Sequence, residues 1–293
     1  TKGFLDRSKL FQVKGDTLEH FSITKPLSIK NEHEIVESLM QSDEWDFIGL
    51  EDPDIWIDAE TDLMHTYFTM PFIHRAEKKP GAAINLGHAV GKNLDSLEMT
   101  EPVLRSHYMG GKGEGAKEVS IAPRNKQGVR LNLVESSDGR GSGHKYSTVR
   151  VAVAEDMGKP WEYGETVFHP GKEKIEWLGG HASPGPLFSK EFIDVGEYKL
   201  LGVMNGREAD RLVGHEVEYG IFSVGLFIYD YERGVIDWVS PKPFLQDSEA
   251  RTITFASQFV ETTKGAGVLY AHVDDSFVRA YMLEAEAMKG LLP

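Results

Sequence analysis

The feature of this sequence that most constrains its fold is an internal repeat of short, β-rich segments. Four similar stretches each follow a loop and lead into a predicted strand: EDPDIW from Glu51, KEVSIAP from Lys117, HASPGPLF from His181 and ITFASQF from Ile253. Their starting residues are separated by 66, 64 and 72 positions. A repeat of this length with about four strands is typical of a β-propeller blade, a four-stranded sheet arranged around a central channel.

A second series of similar segments interleaves with the first. Each member has an apolar strand, a polar turn with an acidic residue, and a second strand; they span residues 10–27, 84–104, 149–168 and 226–245. Helical periodicity is confined to residues 32–41 and 283–289. The other apolar runs are short and end at Gly, Pro, Asn or Asp, so the sequence predicts an all-β protein.

We therefore predict a single domain, residues 1–293, folded as a five-bladed β-propeller. Four blades begin at the four repeat starts, and the fifth is expected to be shared between the N-terminal strands and the C-terminal strands LYAHV and VRAYML. This division gives about 59 residues for each blade. The alternative is a β-sandwich or two unrelated β domains, but no linker rich in Ser, Gly or Pro divides the chain.

Charge and composition exclude several classes of function. The chain has 46 acidic residues against 32 lysines and arginines, for a net charge of -14, which argues against nucleic acid or an anionic membrane surface as a partner. With no cysteine, thiolate metal sites and cysteine nucleophiles are excluded, and the eleven histidines do not have the spacing of metal ligands. We expect a soluble protein without cofactor or metal, and a cytoplasmic location is favoured over a periplasmic or secreted one. The sequence leaves the oligomeric state open.

In a propeller, the loop that enters the innermost strand of each blade delivers side chains into a central funnel, where we expect the functional site. The candidate side chains at the repeat starts and on the late strand are Glu51, Asp52, Asp54, Lys117, Glu118, His181 and Asp274, with Trp56 available to stack on a ligand and Glu135 at the end of another strand. Acids from separate blades that meet in one cavity fit glycosidic bond cleavage. In that reaction one carboxyl group protonates the leaving oxygen and another group activates the nucleophile.

Each candidate also has a purely structural interpretation. Asp52 precedes Pro53, which is typical of a turn, and Glu118 beside Lys117 could form a solvated pair. Asp274 could cap the turn before the last strand. His181 could be a hydrogen-bonded residue of an irregular loop.

Several motifs resemble those of glycoside hydrolase family 130, the five-bladed propellers that act on β-mannosides as phosphorylases or hydrolases. GLEDP at residues 49–53 resembles the family motif G-x-E-D-P-R, which implies that Asp52 is the general acid. KEVSIAP resembles the segment with lysine, acid and a later proline, and residues 219–245 resemble the late strand-turn-strand unit. YAHVDD at residues 270–275 resembles the terminal Tyr-x-x-x-Asp motif, which implies that Asp274 binds substrate.

Two departures from the family pattern bear on the nucleophile. Asp54 replaces the arginine of the motif, and Glu135 lies in the region where a histidine-arginine element is expected. The cations of the family's phosphorylases hold inorganic phosphate, so acids in their place favour water. The resemblance therefore implies an inverting hydrolase of an oligosaccharide or glycan, with Asp52 as acid and Glu135 or Glu118 as base. Substrate-binding roles fall to Glu51, Asp54, Lys117, His181, Asp274 and Trp56.

Three alternatives remain open. The first is a β-mannoside phosphorylase, which would need Lys117, Arg124, Arg130 or Arg150 to converge on phosphate. The second is an arabinan- or xylan-cleaving propeller glycosidase with an early aspartate before proline and two further acids. The third is a carbohydrate-binding propeller that has no catalytic activity.

Overall fold

The computed structural model describes residues 7–40, 44–75, 82–138, 146–214 and 216–293. The first hundred residues form β1 (Phe11–Gly15), β2 (Phe21–Pro26), α1 (Glu32–Leu39), β3 (Trp45–Phe47), β4 (Glu51–Asp58), β5 (Leu63–His74), β6 (Ala82–Gly91) and β7 (Glu98–Met99). The next elements are β8 (Lys117–Ser120), β9 (Arg130–Ser137), β10 (Ser147–Ala154), β11 (Glu162–Phe168), β12 (His181–Leu187), β13 (Lys199–Arg207) and β14 (Arg211–Val213). The chain ends with β15 (Glu216–Glu218), β16 (Phe222–Asp230), β17 (Val235–Val239), β18 (Thr254–Thr263), β19 (Ala266–Val273), β20 (Phe277–Glu284) and α2 (Ala285–Lys289).

The predicted all-β character is confirmed, and the two helices lie close to the predicted ranges. α1 ends at Leu39, and residue 41 of the predicted range lies outside the described residues. The C-terminal helix was expected from Leu283, but it begins two residues later because Leu283 is buried in β20, where it pairs with Gly267 of β19. Residues 32–39 form a helix because Val36 and Leu39 are buried on one side of it.

Each of the four repeat starts begins a series of paired strands. β4 pairs with β5, which pairs with β6, and β6 pairs with β7; in the same way β8, β9, β10 and β11 follow one another. The third series is β12, β13, β16 and β17, and the fourth is β18, β19 and β20. The 72-residue spacing after the third start has a physical reason, because the small β14–β15 hairpin is inserted between β13 and β16.

The predicted sharing of one sheet between the two ends of the chain is wrong for the described residues. β1 pairs with β2 as a separate two-stranded sheet, whereas β19 and β20, which were assigned to the shared blade, continue the sheet that β18 begins. No N-terminal strand pairs with a C-terminal one within the described part of the chain. The number of blades stays a prediction.

The chain divides into two compact units, residues 1–118 with 154–163 and residues 119–153 with 164–293. In the first unit, Phe68, Met70 and Phe72 of β5 form the centre of the core. Among its described residues, the second unit has an apolar cluster around Leu201 and Leu226 and another around Leu133 and Tyr229. The prediction that residues 1–293 form one domain stays a prediction.

Within the second unit, Asn205 joins two neighbouring sheets. Its buried side-chain amide donates from Nδ2 to the carbonyl of Ala256 at 2.9 Å and accepts from the Ala256 N–H at 2.8 Å. Asn205 is on β13 and Ala256 is on β18, so one side chain makes the two hydrogen bonds that a neighbouring strand would make.

The helices of the described residues are all too short or too polar to cross a membrane.

Candidate functional site

Asp52 lies on a β-bulge at the start of β4. Glu51 pairs with Thr69 and Asp54 pairs with Tyr67, so Asp52 and Pro53 together oppose a single residue of β5. The φ angle of Asp52 is 47°, in the left-handed region that residues other than glycine rarely adopt. Its exposed carboxylate accepts a hydrogen bond from Thr69 Oγ1 at 3.2 Å through Oδ2. The bulge therefore turns the predicted acid outward from a fixed strand.

Glu51 is held by the N-terminal segment of the same unit. Ser8 Oγ donates to Glu51 Oε1 at 2.5 Å, and the Ser8 backbone N–H donates to the carbonyl of Ile48 at 2.9 Å. Ser8 also forms a parallel bridge with Gly49, the first residue of the GLEDP motif. One oxygen of Glu51 thus has an internal partner, and its predicted contact with substrate stays a prediction.

Trp56 and Asp54 lie farther along β4. Trp56 is opposite His65 of β5, and the two ring centroids are 5.3 Å apart. Trp56 is four positions after Asp52, which corresponds to about 13 Å along a strand. Asp54 is half-buried between them. The strand therefore does not bring Trp56 next to Asp52.

A buried histidine pair beneath Trp56 was not anticipated. His65 Nδ1 and His88 Nε2 are 2.9 Å apart, and His88 Nδ1 is 2.8 Å from Thr100 Oγ1. Burial, with a smaller contribution from the charge of His65, lowers the pKa of His88 to about 3. His88 is therefore neutral near pH 7. The pairing comes from residues 23 positions apart, and nothing in the local sequence pattern marks it.

Lys117 and Glu118 begin β8, the second repeat. Both side chains are half-buried, and the φ angle of Glu118 is 49°. Glu118 thus adopts the same unusual backbone conformation as Asp52, which is also the second residue of its repeat. Backbone strain of this kind is concentrated at functional sites and is costly for a residue other than glycine.

Glu135 and His181 are brought together in the second unit. Glu135 is near the end of β9 and is 3% exposed, and its Oε2 atom is 3.1 Å from Nε2 of His181. His181 begins β12 and pairs with Ser147 of β10 in a parallel bridge that links two strand series. Glu135 was predicted as a base and His181 as a substrate ligand, and the structure pairs the buried Glu135 carboxylate with the half-buried His181 ring.

The carboxylate of Asp274 holds the loop before β18. Oδ1 accepts hydrogen bonds from the backbone N–H groups of Thr252 and Ile253 and from the Thr252 hydroxyl, and Oδ2 accepts from the N–H of Arg251. These backbone donors hold the pKa of Asp274 well below its usual range. The geometry accounts for the residue as a turn cap; its predicted contact with substrate stays a prediction.

Three arginines considered for a phosphate cradle bind backbone carbonyl groups instead. Arg124 Nη1 donates to the carbonyl of Gly128 at 2.6 Å, and Arg130 Nη1 donates to that of Ala122 at 2.7 Å. Arg150 Nε donates to the carbonyl of Gly164 at 2.6 Å. Each guanidinium group therefore has at least one hydrogen bond to the backbone of its own loop or of a neighbouring segment.

No protein-family model matches the chain, and no curated protein matches it in sequence. Solved structures do match. A glycoside hydrolase has a TM-score of 0.54 at 11% identity, covering 82% of this chain and 71% of that one. A thermostable family-43 glycoside hydrolase has a TM-score of 0.53 at 12% identity, covering 80% and 68%. The α-L-arabinanase of Cellvibrio cellulosa has a TM-score of 0.50 at 12% identity, covering 93% and 84%. The chain shares its fold with glycoside hydrolases of known structure.

Proposed function

We propose that the protein is an inverting glycoside hydrolase, built as a five-bladed β-propeller, that cleaves a β-mannoside or a related glycan. The shared fold supports a glycosidase in general terms. The observation that carries the proposal is the buried Glu135 carboxylate held by His181 at 3.1 Å. A buried carboxylate with a fixed histidine partner is oriented for proton transfer.

The proposed roles follow the chemistry of inversion. Asp52, presented by the bulge of β4, gives its proton to the glycosidic oxygen as the bond between that oxygen and the anomeric carbon breaks. Glu135 takes a proton from the water whose oxygen forms the new bond to the anomeric carbon from the opposite face. Glu118 is the alternative base, because it repeats the backbone conformation of Asp52. Glu51, Asp54, Lys117, Trp56 and Asp274 remain proposed ligands of the substrate.

The hydrogen bonds of three arginines favour water over phosphate as the nucleophile. Phosphate needs several cationic donors directed at one point. Arg124, Arg130 and Arg150 instead donate to backbone carbonyl groups. This supports hydrolysis over phosphorolysis.

A second candidate is a glycosidase that acts on arabinan or xylan. The likeness to the Cellvibrio cellulosa α-L-arabinanase, which extends over 93% of this chain, supports this candidate. Both candidates place the chemistry on carboxylates, so they differ in the sugar rather than in the reaction.

The test is release of reducing sugar from manno-, arabino- and xylo-oligosaccharides, with and without inorganic phosphate. We expect hydrolysis that needs no phosphate and that Asp52→Asn and Glu135→Gln each abolish. The matched control is Asp62→Asn, which makes the same chemical change at a residue with a φ angle of 55° in a turn. Sugar phosphate formed only with phosphate would make the protein a phosphorylase. Oligosaccharide binding without turnover would make it a carbohydrate-binding propeller.

A further inference from the structure

Four aromatic rings follow one another across strand ends in the second unit. They belong to His181 at the start of β12, Phe222 at the start of β16, Phe255 near the start of β18 and His272 near the end of β19. We call these four residues the ring row. The centroids of His181 and Phe222 are 4.9 Å apart, those of Phe222 and Phe255 are 6.2 Å apart, and those of Phe255 and His272 are 5.2 Å apart.

Strand pairing holds the ring row in register. Arg207, the last residue of β13, pairs with both His181 and Phe222. Phe255 pairs directly with His272. The two hydrogen bonds between Asn205 and Ala256 tie β13 to β18 only a few residues away. Phe255 is buried, whereas His181, Phe222 and His272 are half-buried, so three of the four rings reach the surface. Rings held in this way are preorganised, which lowers the entropy cost of binding.

Hydrogen-bonding groups accompany the rings along the whole row. Glu135 contacts His181 at one end, and Asp275 Oδ1 is 3.1 Å from His272 Nδ1 at the other. Between them, the guanidinium carbon of Arg207 is 5.8 Å from the ring centroid of Phe222. Flat aromatic rings with polar groups beside them match a sugar, whose C–H face stacks while its hydroxyl groups form hydrogen bonds.

The charges next to the ring row are mainly negative. Glu135 and Asp275 lie at its ends, and Arg207 is itself paired with Asp210. Three carboxylates thus accompany one guanidinium group, in a chain with a net charge of -14. This balance repels an acidic sugar and accepts a neutral one.

We propose that the ring row is a binding surface for neutral oligosaccharides that continues outward from Glu135. The proposal rests on the proposed function, because it gives that site its substrate class. Phe222 is the central ring, since it contacts His181, Phe255 and Arg207.

The first measurement is calorimetric titration of the Asp52→Asn chain with mannotriose, arabinotriose, xylotriose and trigalacturonate. We expect at least one neutral trisaccharide to bind more tightly than trigalacturonate. In the same background, Phe222→Leu should raise its dissociation constant about tenfold, because the stacking ring is lost, and Phe222→Tyr should restore binding.

Phe277→Leu is the matched control. Phe277 is 39% exposed in the same unit and also has an arginine above its ring, with Arg279 at 5.1 Å, but it lies outside the ring row. Its substitution should leave the dissociation constant unchanged. Equal binding by Phe222→Leu and its parent, tighter binding of trigalacturonate, or no binding of any neutral trisaccharide would overturn the proposal.

Turnover by the unmodified protein separates this inference from the proposed function. Binding that depends on Phe222 without any sugar release would retain the ring row and refute the hydrolase. Sugar release with the same KM in Phe222→Leu as in the unmodified protein would refute the ring row and retain the hydrolase.

Discussion

The Nε2 atom of His181 lies 3.1 Å from Oε2 of Glu135, so a buried carboxylate of β9 is tied to the first residue of β12. A carboxylate removed from water needs such a partner, and removing one member of a buried pair costs more than removing both. The pair therefore contributes both to the stability of the second unit and to the orientation of the proposed base.

Removal of His181 should destabilise the protein in a way that depends on Glu135. We expect His181→Ala to lower the free energy of unfolding by about 2–3 kcal/mol, and the double variant with Glu135→Gln to lose at least about 1 kcal/mol less than the sum of the single variants. Chemical denaturation of the four proteins measures this coupling. The exposed pair His33 and Glu37, 3.3 Å apart on α1, is the control and should couple by about 0.3 kcal/mol. Additive effects of His181 and Glu135 would contradict the assignment.

Gly49 should not tolerate a side chain. Its φ angle is 133°, and a Cβ atom would lie 2.0 Å from the backbone oxygen of Ser8. We expect Gly49→Ala to cost more than about 3 kcal/mol of unfolding free energy. Gly110→Ala provides the comparison, because Gly110 has a φ angle of 80° but open space around it, and about 1 kcal/mol is expected there. If urea denaturation showed the same loss of unfolding free energy for both variants, the prediction would be wrong, because Ser8 would then move aside at little cost.

His88 should make the protein less stable in mild acid. Its pKa of about 3 in the folded state is below the ordinary value of 6.5, so the unfolded chain takes up a proton that the folded chain excludes. Stability is therefore lost as the pH falls below 6.5. Between pH 7.5 and 5.5, protonation of this one residue in the unfolded chain lowers the free energy of unfolding by about 1.4 kcal/mol. Denaturation at both pH values should show that loss in the unmodified protein and less of it in His88→Gln; the same loss in both would contradict the prediction.

Asp274 should stabilise the folded protein, and its contribution should depend on pH. The cause differs from that at His88, because hydrogen bonds favour the charged form of Asp274 whereas burial favours the neutral form of His88. The pKa of Asp274 is held low in the folded state by the N–H groups of Arg251, Ile253 and Thr252, so the folded chain gains stability above the ordinary value of 3.8 and loses it as the pH falls further. Asp274→Ala should lower the thermal midpoint at pH 7, and the difference from the unmodified protein should shrink in acid. Asp62→Asn is the control. An unchanged midpoint together with a raised KM would favour substrate binding instead.

The positions where strands begin could be predicted because the repeat is visible in the sequence. Glu51, Lys117 and His181 each begin a strand as predicted, and Ile253 immediately precedes β18. Local sequence patterns are sufficient here, since short apolar runs and turn residues define strands without knowledge of their partners. The shared terminal sheet failed for the opposite reason, because strand pairing depends on contacts far apart in the chain.

In the candidate site, too, only the features that depend on local sequence could be predicted. Asp52 stood out because of its motif, and the pairing of Glu135 with His181 joined two residues that the sequence had suggested separately. Phe222 and His272 gave no signal, since an aromatic residue at a strand end looks the same whether it fills a core or lines a surface. Their relation appears only once the strands are paired.

The amide of Asn205 has a consequence for how the second unit unfolds. Because its two hydrogen bonds to Ala256 cross from β13 to β18, separation of the last three strands breaks both bonds and opens the buried contact between the two sheets. We therefore expect the C-terminal sheet to unfold together with β13. Amide hydrogens of β13 and β18 should therefore exchange in a single cooperative event. A substitution that destabilises the C-terminal strands should also destabilise β13, the strand that carries Arg207.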